Sequence, residues 1–270
     1  MANSRLSPIE KIGYGLGDFG SNVVFQTVII LLPSFYTDVF GLAPAAMGLM
    51  FLLVRLLDTV TDPIMGVIAD NTDTRWGKFR PYLLWFSVPF AIVFVLTYWT
   101  PDLAGNQKLL YAYVTYAVLM LLYTVVNIPY CALGGVITAD SQERVSANSY
   151  RFFLATSAGV LITFFGPRLI TYFGKGNDQV GYPWAMAVFG VLAVFAFIGC
   201  FALTKERVVE AKPAKGSFWS DVGTLVKNDQ WVVVALLGLV SLIAIVLRAG
   251  SAAFYIKCAF GRPDLTAEFL

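Results

Sequence analysis

Histidine is absent from the 270-residue sequence, and charged residues make up only 13% of it. Without histidine, the chain can have no Ser–His catalytic triad, no histidine-ligated metal site and no histidine proton relay. The three cysteines, Cys131, Cys200 and Cys258, lie in apolar stretches without the spacing of a metal site or a disulfide framework. We therefore expect the cysteines to be packing residues, and we expect neither an enzyme nor a cofactor.

The formal net charge is also small, at +2, which gives no indication of nucleic-acid binding. In contrast, hydrophobic residues make up 58% of the chain. Soluble proteins hold about 45–50% apolar residues even when glycine is counted among them. A water-soluble globule cannot bury this much apolar surface, so the composition predicts an integral membrane protein.

Apolar residues are concentrated in seven runs, which lie at 15–36, 45–69, 82–100, 109–136, 152–173, 183–203 and 231–254. Most of them reach the ~17–25 residues that a helix needs to span a membrane. None has the ~10-residue alternating pattern of a membrane barrel strand. The fold class that we predict is an all-α polytopic membrane protein with about seven spans.

The connections between the runs predict three regions. Residues 1–203 form an N-terminal six-helix transmembrane bundle, and 204–230 form a cytoplasmic middle loop with a short amphipathic helix at 218–226. Residues 231–270 form the start of a C-terminal bundle, with a seventh helix and the beginning of an eighth. Six spans, a long charged loop and a further span are typical of a two-bundle transporter, so we expect a truncated chain.

Lysine and arginine are distributed unequally between the two sides of the predicted membrane. One side carries Lys108 and Lys175 in its loops, whereas the other carries most of the remaining cations of the connections. The N-terminal segment, with Arg5 and Lys11, lies on the cation-rich side. Because cytoplasmic loops carry the excess of Lys and Arg, we predict a cytoplasmic N-terminus.

The second run contains three charged residues, Arg55, Asp58 and Asp62, which share one helical face. Charged groups within a span cost ~2.5–3.5 kcal/mol each on insertion scales and usually mark function. Two carboxylates one turn apart can bind a hard cation such as Na⁺, Li⁺ or H₃O⁺. Two alternatives stay open: one carboxylate is a proton carrier, or Arg55 forms a purely structural ion pair.

Polar residues of the fourth run lie near Pro129, which frees backbone carbonyls in a helix. Thr124 and Asn127 share a face, so Thr124 is a candidate oxygen ligand for the cation and Asn127 a candidate partner for a sugar hydroxyl. The ring of Tyr123 is a candidate sugar platform. The alternatives are interhelical hydrogen bonds for the two polar residues and a membrane-interface position for the tyrosine.

Further polar residues lie at the starts of two other runs. Asp18 and Asn22 share a face within a glycine-rich segment, and Arg151 begins the fifth run. We predict that all three face a cavity, where Arg151 contacts a substrate hydroxyl or carboxylate. In the alternative, Asp18 stabilises the cytoplasmic helix end, and Arg151 extends to the membrane surface. The glycines permit close helix packing, and no phosphate-binding Lys-Ser/Thr follows them.

The loop after the second run combines acids with a basic tract. Its charged residues are Asp70, Asp73, Arg75, Lys78 and Arg80. Such a cluster can hold helices together through charge pairs in one conformation and release them in another, so we predict a gating role that also involves Arg55. The alternative is ordinary positive-inside charge, which explains the cations but not the two acids.

Six motifs together resemble the glycoside–pentoside–hexuronide:cation symporter family of the major facilitator superfamily. They are Tyr-Gly-x-Gly at 14–17, Phe-Tyr-Thr-Asp at 35–38, Arg-x-x-Asp-x-x-x-Asp-Pro at 55–63, Arg-Trp-Gly-Lys-Phe-Arg-Pro at 75–81, Asn-Ile-Pro-Tyr at 127–130 and Lys-Asn-Asp-Gln at 227–230. The resemblance extends through the whole chain. It implies a twelve-helix fold, of which this chain would cover six helices, the middle loop and about one more.

The resemblance also implies roles for individual residues. Asp58, Asp62 and Thr124 match the positions that coordinate the cation, which would be a metal site if that cation is Na⁺. Arg151 matches the sugar-contacting arginine, and Asn127 stands where the family has an acid. The sugar-binding set that we predict is Asp18, Asn22, Tyr123, Asn127 and Arg151. The overall pattern resembles members that carry xylosides or other pentosides.

The predicted function is therefore a cation-coupled sugar symporter of the bacterial inner membrane, which acts as a monomer. Its partners are a small sugar, a monovalent cation and the lipid bilayer. A non-transporting membrane protein, either a sugar sensor or an inactive half-transporter, is the alternative. It would lack the second bundle that alternating access requires.

Overall fold

A computed structural model describes residues 5–103, 105–208, 223 and 227–255. All regular elements in these ranges are helical, which confirms the all-α fold class. The chain divides into two compact units, 1–210 and 211–270. The amphipathic helix predicted at 218–226 lies, apart from residue 223, outside the described residues. The predicted domain boundaries at 203 and 230 remain predictions.

The first unit contains seven α-helices and a short π-helix among its described residues. Their bounds are α1 Pro8–Ile30, α2 Leu32–Ser34, the π-helix Phe35–Val39, α3 Pro44–Asn71, α4 Arg80–Thr97, α5 Asn106–Val136, α6 Ser141–Gly174 and α7 Asp178–Leu203. In the second unit, α8 extends over Asp229–Tyr255. Each α-helix overlaps one of the predicted apolar runs, and α1 and α2 share the first run.

Side-chain caps fix where several of these helices begin. The Ser7 hydroxyl accepts a hydrogen bond from the backbone N–H of Glu10, and the Glu10 carboxylate accepts one from Ser7. This capping box occupies N–H groups that a helix start leaves without partners. At the starts of α6 and α7, the side chains of Asp140 and Asn177 accept hydrogen bonds from backbone N–H groups of the first turn. The caps explain why α6 begins eleven residues before its apolar run, which starts at 152.

Four described helices, α4 to α7, are long and apolar enough to cross a membrane. A fifth span results if α1 is taken together with Leu32–Val39, from which it is bent by 45°. Helix α3 is 28 residues long but is not in this set; it contains Arg55, Asp58 and Asp62. Many large apolar side chains of the first unit are exposed, as expected for helices that face lipid.

Close packing around α1 holds the first unit together. Helix α1 packs on α6 and α7, α4 packs on α5 and α7, and the main partner of α3 is α5. Glycines of α1 lie directly against the neighbouring helices: a Cβ atom added at Gly17 would be 2.3 Å from the Tyr130 ring, and one at Gly20 would be 3.1 Å from Phe197. Small residues at such positions allow membrane helices to approach closely.

Candidate functional site

The acids of α3 face α5 at the level of Thr124. The Thr124 hydroxyl donates a hydrogen bond of 2.8 Å to Oδ1 of Asp62. Asp58 lies one turn earlier on α3, where its Oδ2 is 3.3 Å from Nη1 of Arg55. The structure therefore brings together the three predicted cation ligands and Arg55, since all four lie along the seam between α3 and α5.

Two oxygens of this cluster are buried without a hydrogen-bond partner among the described residues, Oδ1 of Asp58 and Oγ1 of Thr61. Buried polar atoms are nearly always satisfied, so unpaired oxygens indicate a missing partner such as a cation or a water molecule. The ion pair of Asp58 with Arg55 engages only Oδ2, and the Arg55 side chain is 56% exposed. The carboxylates, the two hydroxyls and the unpaired oxygens fit a monovalent cation, because hard cations bind oxygen ligands.

A second cluster lies where α1 meets α6. Nε of Arg151 is 2.8 Å from Oδ2 of Asp18, which is buried. Asn22 donates hydrogen bonds to Oδ1 of Asp18 at 3.2 Å and to its carbonyl oxygen at 2.9 Å. The guanidinium of Arg151 also lies over the Tyr130 ring, 5.3 Å from its centroid. In this structure Arg151 reaches inward to α1.

Cys131 is part of the same cluster. It is exposed, and its Sγ lies 3.9 Å from Nη2 of Arg151. Cys200, in contrast, is buried, as the packing interpretation requires. Cys258 lies outside the described residues. The expectation that Cys131 is a packing residue is therefore wrong, because its side chain faces the open surface beside the arginine.

Aromatic residues connect the two clusters. The Tyr123 ring stacks on Phe25 of α1, with the ring centroids 5.5 Å apart, and Phe25 in turn lies under the guanidinium of Arg55, at 5.9 Å. Asn127 is half-buried on α5, one turn from Thr124 and one turn from Cys131. The candidate cation and sugar residues are thus neighbours along α1, α3, α5 and α6.

A cavity of about 630 Å³ between α1 and α6 opens beside the second cluster. Asn22 and Gln26 line it from α1, and Thr156 and Thr163 line it from α6. Asn22 both contacts Asp18 and faces this cavity, so a ligand there has direct access to the second cluster. Gln26 and the two threonines are polar lining residues that the sequence analysis did not identify.

The predicted gate residues do not pair with each other in this conformation. None of the ion pairs among the described residues involves Asp70 or Asp73, and both side chains are exposed. Arg75 lies over the Trp76 ring, 4.5 Å from its centroid. Arg80 donates hydrogen bonds to the carbonyl oxygen of Phe201 on α7.

An acid that sequence reasoning missed, Glu206, binds this loop instead. Its carboxylate accepts hydrogen bonds from the backbone N–H groups of Lys78 at 2.8 Å, Phe79 at 2.9 Å and Arg80 at 3.0 Å. Gly77 has φ of +110°, and a Cβ atom there would lie 2.4 Å from the Glu206 carboxyl carbon. The residue before α4 is Phe79, whose side chain cannot cap the helix. This lack of a local cap was the signal in the sequence that an acid from another segment binds there.

A helical membrane bundle with a buried carboxylate–arginine pair between α1 and α6, and with two carboxylates on α3, has the architecture of a polytopic membrane protein. A family model described as MFS/sugar transport protein matches residues 13–269. The chain belongs to this family. The match confirms the resemblance to the glycoside–pentoside–hexuronide:cation symporters within the major facilitator superfamily.

Three relatives illustrate the family. The chain is 46% identical to the inner membrane symporter YicJ of Escherichia coli, over 100% of this chain and 58% of that protein. It is 36% identical to an isoprimeverose transporter of Lactiplantibacillus pentosus, over 92% of this chain and 52% of that protein. It is 35% identical to the glucuronide carrier protein homolog of E. coli, over 94% and 56%.

Two further points follow from the relatives. The chain spans about half the length of the curated relatives that it matches. The names of these relatives are those of transporters and not of enzymes, which supports the non-enzyme prediction at the level of the family.

Proposed function

We propose that the protein of this sequence is a cation-coupled sugar symporter of the bacterial inner membrane, with a cytoplasmic N-terminus. The observation that carries the proposal is the pair of neighbouring polar clusters, one with unpaired carboxylate and hydroxyl oxygens and one with an arginine held by an acid. The relative YicJ, which is named an inner membrane symporter, supports the membrane assignment.

In this proposal Asp58, Asp62 and Thr124 bind the coupling cation, which is Na⁺, Li⁺ or H⁺. Binding would replace the hydrogen bond from Thr124 to Asp62 with coordination by both oxygens, and would give the free Oδ1 of Asp58 a partner. The cation would thus neutralise the carboxylate charge that Arg55 leaves uncompensated, because one guanidinium balances one of the two acids.

The sugar would bind in the second cluster through Arg151, Asn22, Asn127 and the ring of Tyr123. Asp18 holds Arg151 by its Nε, and the terminal amino groups of the guanidinium, of which Nη2 lies 3.9 Å from Sγ of Cys131, would donate to sugar hydroxyls. Pentosides and small glycosides are the proposed substrates, with the isoprimeverose transporter as a supporting relative. The two ligands are coupled if each favours the same arrangement of the helices, since binding linkage is reciprocal.

Uptake of a panel of pentosides, glycosides and hexuronides tests this proposal. The 270-residue chain is joined to the part of YicJ beyond the matched region, and uptake into cells is measured with and without Na⁺, Li⁺ and a pH gradient. Asp62→Cys is expected to abolish the stimulation by the cation. Asp102→Cys is the control, since Asp102 is an exposed acid with no role in the proposal, and it should retain the stimulation.

Stimulation that persists in the Asp62→Cys protein would contradict the assignment of the cation site. The same assay on the 270-residue chain alone tests the second candidate, a sugar sensor or inactive half-transporter. That candidate predicts sugar binding without uptake in the unextended chain.

A further inference from the structure

Two contiguous cavities on the outside of the first unit have no role in the proposed transport. One is an apolar groove of about 560 Å³ between α4 and α7, and the other is a pocket of about 240 Å³ at the ends of these helices. Trp99 lines both, so the groove continues into the pocket. The pocket lies at the end of α4 opposite the 72–79 loop, where a span reaches the membrane interface.

We propose that these two cavities together bind one phosphatidylethanolamine molecule, with an acyl chain in the groove and the headgroup in the pocket. The groove accepts the chain because all of its lining side chains are apolar; examples are Ile92 and Val95 of α4 and Ala187 and Val191 of α7. From Val88 to Trp99 it extends along about 16 Å of helix, since each residue rises ~1.5 Å. One leaflet of the hydrocarbon core is ~15 Å thick, so the groove matches a single acyl chain in one leaflet.

The pocket fits an amine-bearing headgroup. Trp99 and Trp184 line it and are 51% and 60% exposed, so their ring faces are available to an ammonium group. Thr100, Asn177 and Gln179 add hydroxyl and amide oxygens, which accept hydrogen bonds from an ammonium group. A choline headgroup has no N–H to donate, which favours ethanolamine.

Charge disfavours the anionic lipids. Among the described residues, those that line the pocket include no lysine or arginine. A phosphatidylglycerol or cardiolipin headgroup would find no cation there to balance its net charge, whereas a zwitterionic headgroup needs none. The site lies between α4 and α7, away from Asp58, Asp62 and Arg151. The lipid proposal can therefore be tested independently of the symporter proposal.

Native mass spectrometry of the 270-residue chain in detergent tests the proposal. Phosphatidylethanolamine, phosphatidylcholine and phosphatidylglycerol are added one at a time and then in competition. We expect one tightly bound phosphatidylethanolamine per chain, with affinity about tenfold above that for phosphatidylglycerol. Trp184→Ala and Gln179→Ala should each weaken this preference about fivefold to tenfold.

Groove and control variants complete the experiment. Ala187→Phe fills the groove and should remove tight binding of every lipid, whereas Val188→Phe, on the exposed face of the same helix outside the groove, should not. Trp231→Ala, a tryptophan of the second unit, controls for the loss of an indole. Circular dichroism checks that each variant retains the helical content of the parent chain.

Three outcomes would overturn the proposal. The first is equal retention of all three lipids in the parent chain, which would indicate annular lipid only. The second is an unchanged headgroup preference in the Trp184→Ala and Gln179→Ala proteins. The third is a dimer that excludes lipid and is lost in the Ala187→Phe protein, which would make the groove an interface between two copies of the chain.

Discussion

At the scale of single residues, Asp18 and Arg55 represent two kinds of charge pair in one bundle. Asp18 is buried and pairs with Arg151, whose side chain is 24% exposed, whereas Asp58 pairs with an Arg55 that is 56% exposed. Removing one partner of a buried pair leaves an uncompensated charge, whereas an exposed guanidinium such as that of Arg55 is screened by its surroundings and contributes less. Arg151 is therefore expected to contribute more to the stability of the fold than Arg55.

We predict that Arg151→Gln and Asp18→Asn each lower the free energy of unfolding of the chain in detergent by ~1–3 kcal/mol. The double substitution should cost less than the sum of the two, since it removes both charges of the pair. Arg75→Gln is the control, since Arg75 is exposed and takes part in no ion pair among the described residues, and it should change stability by less than ~1 kcal/mol. Denaturant titrations followed by circular dichroism give all four values.

Additive losses in the double variant would contradict the pairing. Arg151→Lys refines the test, because lysine restores the charge but not the planar guanidinium. It should recover part of the stability that Arg151→Gln loses. If sugar binds at this cluster, the lysine variant should still bind it more weakly than the parent chain, since the two terminal amino groups of the guanidinium are missing.

The sequence predicted which residues of the candidate site share a helical face better than it predicted what they touch. The helical spacing placed Asp58 and Asp62 on one face of α3. In the structure, Thr124 of α5 lies opposite that face and donates a hydrogen bond to Asp62. The contact between Asp18 and Arg151 joins residues 133 positions apart, which no local spacing reveals. Glu206 escaped prediction for the same reason, since its partners at 78–80 lie 126 to 128 positions earlier in the chain.

At the scale of helices and loops, the Glu206 carboxylate takes the place of an N-cap for α4. It comes from the segment after α7 and receives three backbone N–H groups at 2.8–3.0 Å. The next residue, Arg207, donates its backbone N–H to the Val136 carbonyl at the end of α5 and pairs with Glu10 of α1. Residues 206 and 207 thus connect the ends of α1, α4 and α5.

We predict that Glu206→Ala destabilises the start of α4 by ~1–2 kcal/mol, since it leaves three N–H groups without an acceptor. Hydrogen exchange measured by mass spectrometry should show faster exchange at 78–80 in this variant. Lys205→Ala changes the exposed neighbouring residue and should leave exchange there as it is. Unchanged protection at 78–80 in the Glu206→Ala protein would show that the carboxylate is not the cap.

Helix positions were predictable because the apolar runs follow the membrane thickness, but helix ends were less so. The helix α3 at Pro44–Asn71 matches the run at 45–69 closely, since a proline begins the helix and polar residues follow the run. The helix α6 extends well before its run, because Asp140 caps a polar segment that hydropathy does not detect. The π-helix Phe35–Val39 follows a break at Leu31 for which the sequence offers only Pro33 as a signal.

At the scale of the whole molecule, the side of the membrane on which each loop lies follows from the distribution of Lys and Arg. We predict that a green fluorescent protein inserted in the 72–79 loop is fluorescent in cells, because that loop carries two cations, with Arg80 directly after it, and remains in the cytoplasm. An alkaline phosphatase fused after residue 103 should be active, because it reaches the opposite side.

Exchanging the two reporters between the sites is the control for this experiment. Green fluorescent protein after residue 103 should then be dark, and alkaline phosphatase in the 72–79 loop should be inactive. The reverse pattern at both sites would overturn the predicted orientation while leaving the helical fold untouched.

The packing of α3 has a consequence for how the protein would respond to salt. This helix is held mainly along α5, and the candidate ligands Asp62 and Thr124 lie on opposite sides of that seam. An ion bound there would link α3 to α5 reversibly, and would thereby fix α3 more firmly to the rest of the bundle. The local stability of α3 would then depend on the ion concentration. Hydrogen exchange of the α3 backbone amides would therefore report ion occupancy, even in the absence of sugar transport.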